Sequence, residues 1–149
     1  MRNYSSRQLG FTMTELITVI VIVGIMGAMV APRFFDKNTF ESRGFYDQTI
    51  STLRYAQKVA IAQHRFVCVD ITSGNTITLT QGAGTVCGSP LVNPAGGANY
   101  VITAPSGVTV SNASFYFDAL GKPSAAQPSL LVSGYATAIT VEAETGYVH

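Results

Sequence analysis

Few side chains in this sequence could do covalent or acid–base chemistry, and none stands in a pattern that such chemistry needs. The histidines are His64 and His149, one in a helical stretch and one at the last position. Ser73 has no G-x-S-x-G context, and no serine has an evident base. Asp118 sits beside a turn, where aspartate commonly accepts bonds from backbone amides. Glu142 and Glu144 share one face of a regular strand and could act as an acid–base pair, but on a hairpin they read as a solvated face. Gly82-Ala83-Gly84 and Gly96-Gly97 lack the strand-to-helix setting and the lysine of a phosphate cradle. Cys68 and Cys87 are the two cysteines, with no CxxC or Cys/His spacing for a metal. The expectation is a non-enzyme without metal or cofactor.

The charge pattern narrows the partners. The chain has 149 residues, 47% hydrophobic and 11% charged, with a formal charge of +1, so no global field calls for a polyanion. Residues 33–65 carry six basic side chains (Arg33, Lys37, Arg43, Arg54, Lys58, Arg65) against Asp36, Glu41 and Asp47. From Phe66 onward there is one lysine, Lys122, against Asp70, Asp118, Glu142 and Glu144, and no arginine. Duplex DNA is held largely by Lys and Arg on phosphates, so this half argues against a nucleic-acid partner. Both cysteines fall there too. A disulfide is permitted if that half is exported, and two buried free thiols are the plain alternative; the expectation is a Cys68–Cys87 bond.

The residue that demands explanation is Glu15. Residues 11–31 are apolar apart from this one charge and some threonines, and as a helix they would span about 31 Å, a hydrocarbon core. A carboxylate inside such a helix costs about 2.5–3.5 kcal/mol on insertion scales. Arg2 and Arg7 precede it with no acid, which keeps the N-terminus cytoplasmic and sends the rest outward. An ordinary secretory signal fits poorly, because its core should hold no carboxylate and the small residues at 28–31 run into Pro32.

Leu9-Gly10-Phe11-Thr12-Met13-Thr14-Glu15 resembles the processing site of type IV pilins and the pseudopilins of type II secretion. The resemblance implies that a prepilin peptidase cuts between Gly10 and Phe11 and N-methylates Phe11. It also implies that Glu15, fifth in the mature chain, neutralises the α-amine of an adjoining subunit. An interfacial glutamate favoured by the positive end of its helix is the simpler alternative. Phe115-Tyr116-Phe117-Asp118-Ala119-Leu120-Gly121-Lys122-Pro123 resembles the F-x-x-x-G-x-P segment of H-type minor pseudopilins and FimT-like minor pilins. Residues 139–148 resemble their closing hairpin. The stretch from Arg43 to Cys68 further resembles the C-type minor pilins of mannose-sensitive haemagglutinin pili.

The remaining elements follow from periodicity. Pro32 stops or kinks the first helix, and Phe34 and Phe35 between Arg33 and Lys37 read as an interfacial anchor. Tyr46, Ile50, Leu53, Ala56 and Ala60 form one stripe of an amphipathic helix, weakened at Gly44. After Arg65 the period becomes two. Strands are expected at 66–71 and 76–80 about a turn at 73–75, then at 100–103, 107–110, 114–117, 130–132 and 136–142, with a Gly- and Pro-rich loop at 81–99.

The expected fold is α+β: a long N-terminal helix, half membrane and half amphipathic, packed on an antiparallel sheet as in pilins. Its divisions are 1–10 (cytoplasmic leader), 11–32 (transmembrane and assembly helix), 33–65 (amphipathic helix) and 66–149 (β-rich domain). The expected function is a minor pilin or pseudopilin that initiates, caps or is built into a filament. A filament-displayed module binding DNA or an adhesive ligand is the alternative. The implied partners are the prepilin peptidase, other pilin subunits and an inner-membrane assembly platform. The implied location is the bacterial inner membrane, single-pass with the ectodomain in the periplasm, then the cell surface or a pseudopilus.

Overall fold

A computed structural model describes residues 10–30 and 37–149. Pro32, Phe34 and Phe35, on which a kink and an anchor were expected, lie outside those residues. The chain divides into two compact units, one ending at Asp36 and the other running from Lys37 to His149.

In the first unit, α1 spans Met13–Val30. Its 18 residues reach about 27 Å at 1.5 Å per residue. Among the described residues no helix is long and apolar enough to cross a membrane.

The second unit opens with α2, Lys37–Gln63, which continues as one helix through Gly44. Its buried stripe is Ser42, Phe45, Tyr46, Thr49, Thr52, Leu53, Ala56 and Ala60. The expected apolar spacing holds for four of its five residues, while Ile50 is half-buried at the edge. Three buried hydroxyl residues complete the stripe. Two of them have partners, as Thr49 Oγ1 donates to the Phe45 carbonyl one turn back at 2.8 Å and Thr52 Oγ1 lies 3.3 Å from the hydroxyl of Tyr100 in the sheet. The helix ends as a Schellman turn: His64 is left-handed (φ 49°), its N–H bonds Ile61 O, and Arg65 N–H bonds Ala60 O. His64 therefore terminates the helix rather than decorating its face.

The sheet is antiparallel throughout. β1 (Phe66–Thr72) lies between β2 (Thr76–Gly82) and β5 (Ala113–Phe117), while β3 (Ser89–Pro90) and β4 (Tyr100–Thr103) share the far edge of β2. Alternation decides which face meets the helix. Val67, Val69 and Ile71 stand opposite Leu79 and Ile77 on one side and Phe117 and Phe115 on the other, and all are buried. Ala56 and Ala60 carry no bulk, so α2 can approach this face closely.

The later strands are shorter than the sequence suggests. β6 (Ser129–Leu130) pairs β7 (Ile139–Thr140), and only single bridges join Val110 to Val132 and Val141 to Val148. The strand expected at 107–110 is not formed. Gly107 has φ 84° and Val108 N–H folds back on Pro105 O, so a turn occupies its first half. The loop at 81–99 contributes more than expected: it forms β3 and buries Leu91 in the core.

Two of the motifs meet on α2. Gln57 Nε2 donates to Gly121 O at 3.2 Å and to Thr145 O at 2.9 Å. Asp118 builds the first turn, its Oδ1 accepting from the amides of Leu120 and Lys122 at 2.9 and 2.8 Å. Gly146 is left-handed (φ 68°), and a Cβ there would overlap Gly121 O. Only glycine permits that approach. Lys122 Nζ lies 2.9 Å from Glu144 Oε2 across the same junction, which holds the lysine pKa above and the glutamate pKa below their usual values. Both side chains are well exposed, so the pair adds little stability.

Gly146→Ala should therefore destabilise this unit by about 2 kcal/mol or more, from left-handed strain plus the backbone clash. Gly84→Ala, where a Cβ meets nothing within 4 Å, serves as the control. Urea unfolding of the chain from Lys37 onward compares the two. Equal midpoints would show that the two turns do not depend on the contact.

Candidate assembly site

The candidate site begins where the chain enters α1. Gly10, Phe11 and Thr12 are not helical, so the Gly10–Phe11 bond lies in exposed, irregular backbone just ahead of a helix start. A Cβ on Gly10 would meet nothing within 4 Å. Thr12 caps the helix: its Oγ1 accepts from Glu15 N–H at 3.3 Å, and its carbonyl accepts from Leu16 N–H at 3.1 Å. Glu15 thus occupies the third helical position of a Ser/Thr-x-x-Glu signature. That signature is legible as Thr12-Met13-Thr14-Glu15, and it fixes the start of α1 independently of the apolar run.

The other polar side chains of this entry are satisfied within it. Thr18 Oγ1 donates toward Thr14 O (3.0 Å) and Glu15 O (2.9 Å), and the Thr12 and Thr14 hydroxyls lie 3.2 Å apart. Among the described residues the Glu15 carboxylate has no side-chain partner. Beyond Thr18 the helix is apolar all round. Its large side chains range from 48% exposed at Val19 to 78% at Met13, so no side of it is packed. A helix apolar on every face needs an apolar surrounding on every face.

The second half contains the disulfide. Cys68 on β1 is bonded to Cys87 in the loop after β2, a sequence separation of 19. Gly82 lets the loop cross its own strand, since a Cβ there would collide with Val86 O. Gly88 N–H to Gln81 O and Leu91 N–H to Leu79 O continue the attachment.

The residues considered for acid–base work are dispersed or already engaged. Asp118 is taken up by its turn, and His64 by the helix end. Glu142 Oε1 is 3.4 Å from His149 Nε2 on the closing hairpin, with both side chains half-exposed. No group of three or more metal-ligating side chains occurs among the described residues.

Comparison with known proteins gives this arrangement its context. Residues 5–31 match a family described as the prokaryotic N-terminal methylation motif. The chain is 34% identical over 90 residues to the type IV narrow pilus major component PilA5 of Thermus thermophilus, covering 54% of this chain and 78% of that protein. The chain belongs to the type IV pilin family. The minor pseudopilin EpsH from the type 2 secretion system of Vibrio cholerae shares the fold at TM-score 0.55 and 14% identity, over 73% of this chain and 94% of that one. As a type IV pilin the chain is a structural subunit and not an enzyme. Its α+β architecture, helix on antiparallel sheet, is that of the pseudopilin.

Replacing both disulfide cysteines by serine should cost this pilin about 3 kcal/mol in the chain-entropy description. Leu91 would still anchor the loop, so the fold should survive. Urea unfolding should show a lower midpoint with little change in slope, and an unchanged midpoint would refute the stabilising role.

Proposed function

We propose that this chain is a minor pilin or pseudopilin, made with a cytoplasmic leader and cut between Gly10 and Phe11 by a prepilin peptidase that also methylates Phe11. The observation that carries the reading is the geometry at the start of α1. An irregular, exposed Gly-Phe bond stands directly ahead of a Thr12-capped helix whose one charged side chain is Glu15. A peptidase needs non-helical backbone, which residues 10–12 offer before α1 begins.

Cleavage would place a cationic amine on Phe11, at the positive end of a helix, where it is electrostatically unfavourable. A carboxylate from a neighbouring subunit relieves that cost, and in apolar surroundings the pair offsets much of the burial penalty of each charge. Glu15 is suited to this role. The apolar run continues past Val30 into residues not described, and with Ala31 it reaches membrane length. On this reading residues 11–32 anchor the subunit in the inner membrane with the rest in the periplasm, until an assembly platform moves it into a filament beside other pilin subunits. Initiation, capping or incorporation are the possible places there. The sheet domain, with one lysine against four carboxylates, offers little to DNA.

Intact mass of the protein from its native host should correspond to residues 11–149 plus one methyl group. A chain starting at Met1, or cut near Pro32, would overturn the reading. Glu15→Ala should be cut and methylated normally yet fail to enter filaments, because the substitution leaves the apolar span unshortened. Wild-type amounts of this variant in sheared filaments would show that the carboxylate has no assembly role.

A further inference from the structure

Charge is unevenly placed in the Lys37–His149 unit. From Ile71 to Phe117 there is no Asp, Glu, Lys, Arg or His. That run supplies β2, β3, β4 and β5, which is most of the sheet. The charges after it (Asp118, Lys122, Glu142 and Glu144) stand in the turn after β5 and in the closing hairpin, and Gln57 bonds both to α2. Exposed strands are commonly guarded by charged side chains. The face of this sheet turned away from the helix is not.

Across the middle of that face Ser114, Asp70, Thr78 and Val101 stand opposite one another on β5, β1, β2 and β4. Tyr116, two residues along β5, is half-buried, its ring edge-to-face with Phe66 at 5.4 Å between centres. Asp70 is the one charged side chain in β1 to β5. Its Oδ1 accepts from Ser114 Oγ at 2.6 Å, and among the described residues nothing bonds Oδ2. One carboxylate oxygen is thus fixed in place, and the other is left to accept from a ligand.

These groups suit an uncharged, hydroxylated ligand. Threonine and serine hydroxyls both donate and accept, as sugar hydroxyls do. A carboxylate strengthens the bonds that it accepts, and a tyrosine ring offers an apolar surface beside a polar tip. A polyanion would meet Asp70 and no cation. A protein partner is ordinarily anchored by Trp, Tyr and Arg, with serine, threonine and valine contributing little.

We infer that the sheet face around Asp70, Thr78, Ser114 and Tyr116 is a binding site for a neutral polysaccharide. A ligand there touches neither α1 nor α2, so capture and assembly can fail independently.

The test uses the full chain in a detergent without a sugar head group, passed over immobilised dextran, mannan, galactan and xylan, with polygalacturonate as the acidic control. Retention is expected on at least one neutral polymer. It should be displaced by the same polymer in solution and persist when salt is raised, because no ion pair carries it. Asp70→Asn keeps an acceptor for Ser114 and removes the charge, and it should lower binding several-fold, as should Tyr116→Ala. Lys58→Ala, on the helix side, should leave binding unchanged. Failure to bind any neutral polymer would overturn the site, as would retention on polygalacturonate alone, or Asp70→Asn and Tyr116→Ala variants that bind like the unmodified chain. Loss of Asp70→Asn from sheared filaments, with no polymer bound by the unmodified chain, would assign the face to a subunit contact instead.

Discussion

The architecture of the Lys37–His149 unit depends on one packing constraint: a helix stripe in which alanines and buried threonines stand beside Phe45, Tyr46 and Leu53 must seat against the centre of the sheet. Bulk comes mainly from the sheet side, through Val67, Val69, Leu79, Phe115 and Phe117. The helix answers with Ala56, Ala60, Thr49 and Thr52 along much of that stripe. Larger residues at the alanines would overpack the contact and push the sheet away. The same requirement fixes strand register, because shifting β1 by one residue would turn Cys68 and Asp70 inward. With Cys68 on the opposite face, the disulfide ties down a loop without intruding on the core.

Gln57 adds a second level of order. It lies on the border of the buried stripe, half-exposed, and its amide nitrogen spans two turns more than twenty residues apart in sequence. Each turn is closed by little regular structure of its own, the first by the single bridge of Phe117 to Pro123 and the second by that of Val141 to Val148. A polar side chain on the helix therefore orders what the sheet does not. Arg54 does the same one turn earlier, with two donors on the Val148 carbonyl.

Much of this was legible in the sequence, for reasons that differ by region. The period change at Arg65 located β1 and β2, because strict alternation over several residues has few other readings. The apolar stripe on α2 was legible, but Thr49 and Thr52 were not, since a buried threonine looks like a surface residue until its hydroxyl finds a partner. Positions 107–110 show the opposite error. Gly107-Val108-Thr109-Val110 has strand composition, yet Gly107 takes a left-handed conformation that starts a turn. Leu91 was hidden among glycines and prolines whose composition signals only a loop. At the candidate site the motif from Gly10 to Glu15 was plain, while the Thr12 cap that defines its geometry went unread.

The disulfide makes residues 68–87 a covalent ring hung from the central strand of the sheet. One exposed stretch of that ring is the loop at 83–86, where Val86, next to the bridge, projects almost fully into solvent at 85% exposure. Exposed loop tips are where proteases cut. A cut there breaks a peptide bond inside the ring, and both ends remain tied to the protein, one through β2 and the other through the sulfur bridge to β1. Neither β2 nor β3 is released, and Leu91 keeps its place in the core. The protein can thus be nicked at this site and lose no segment of the chain.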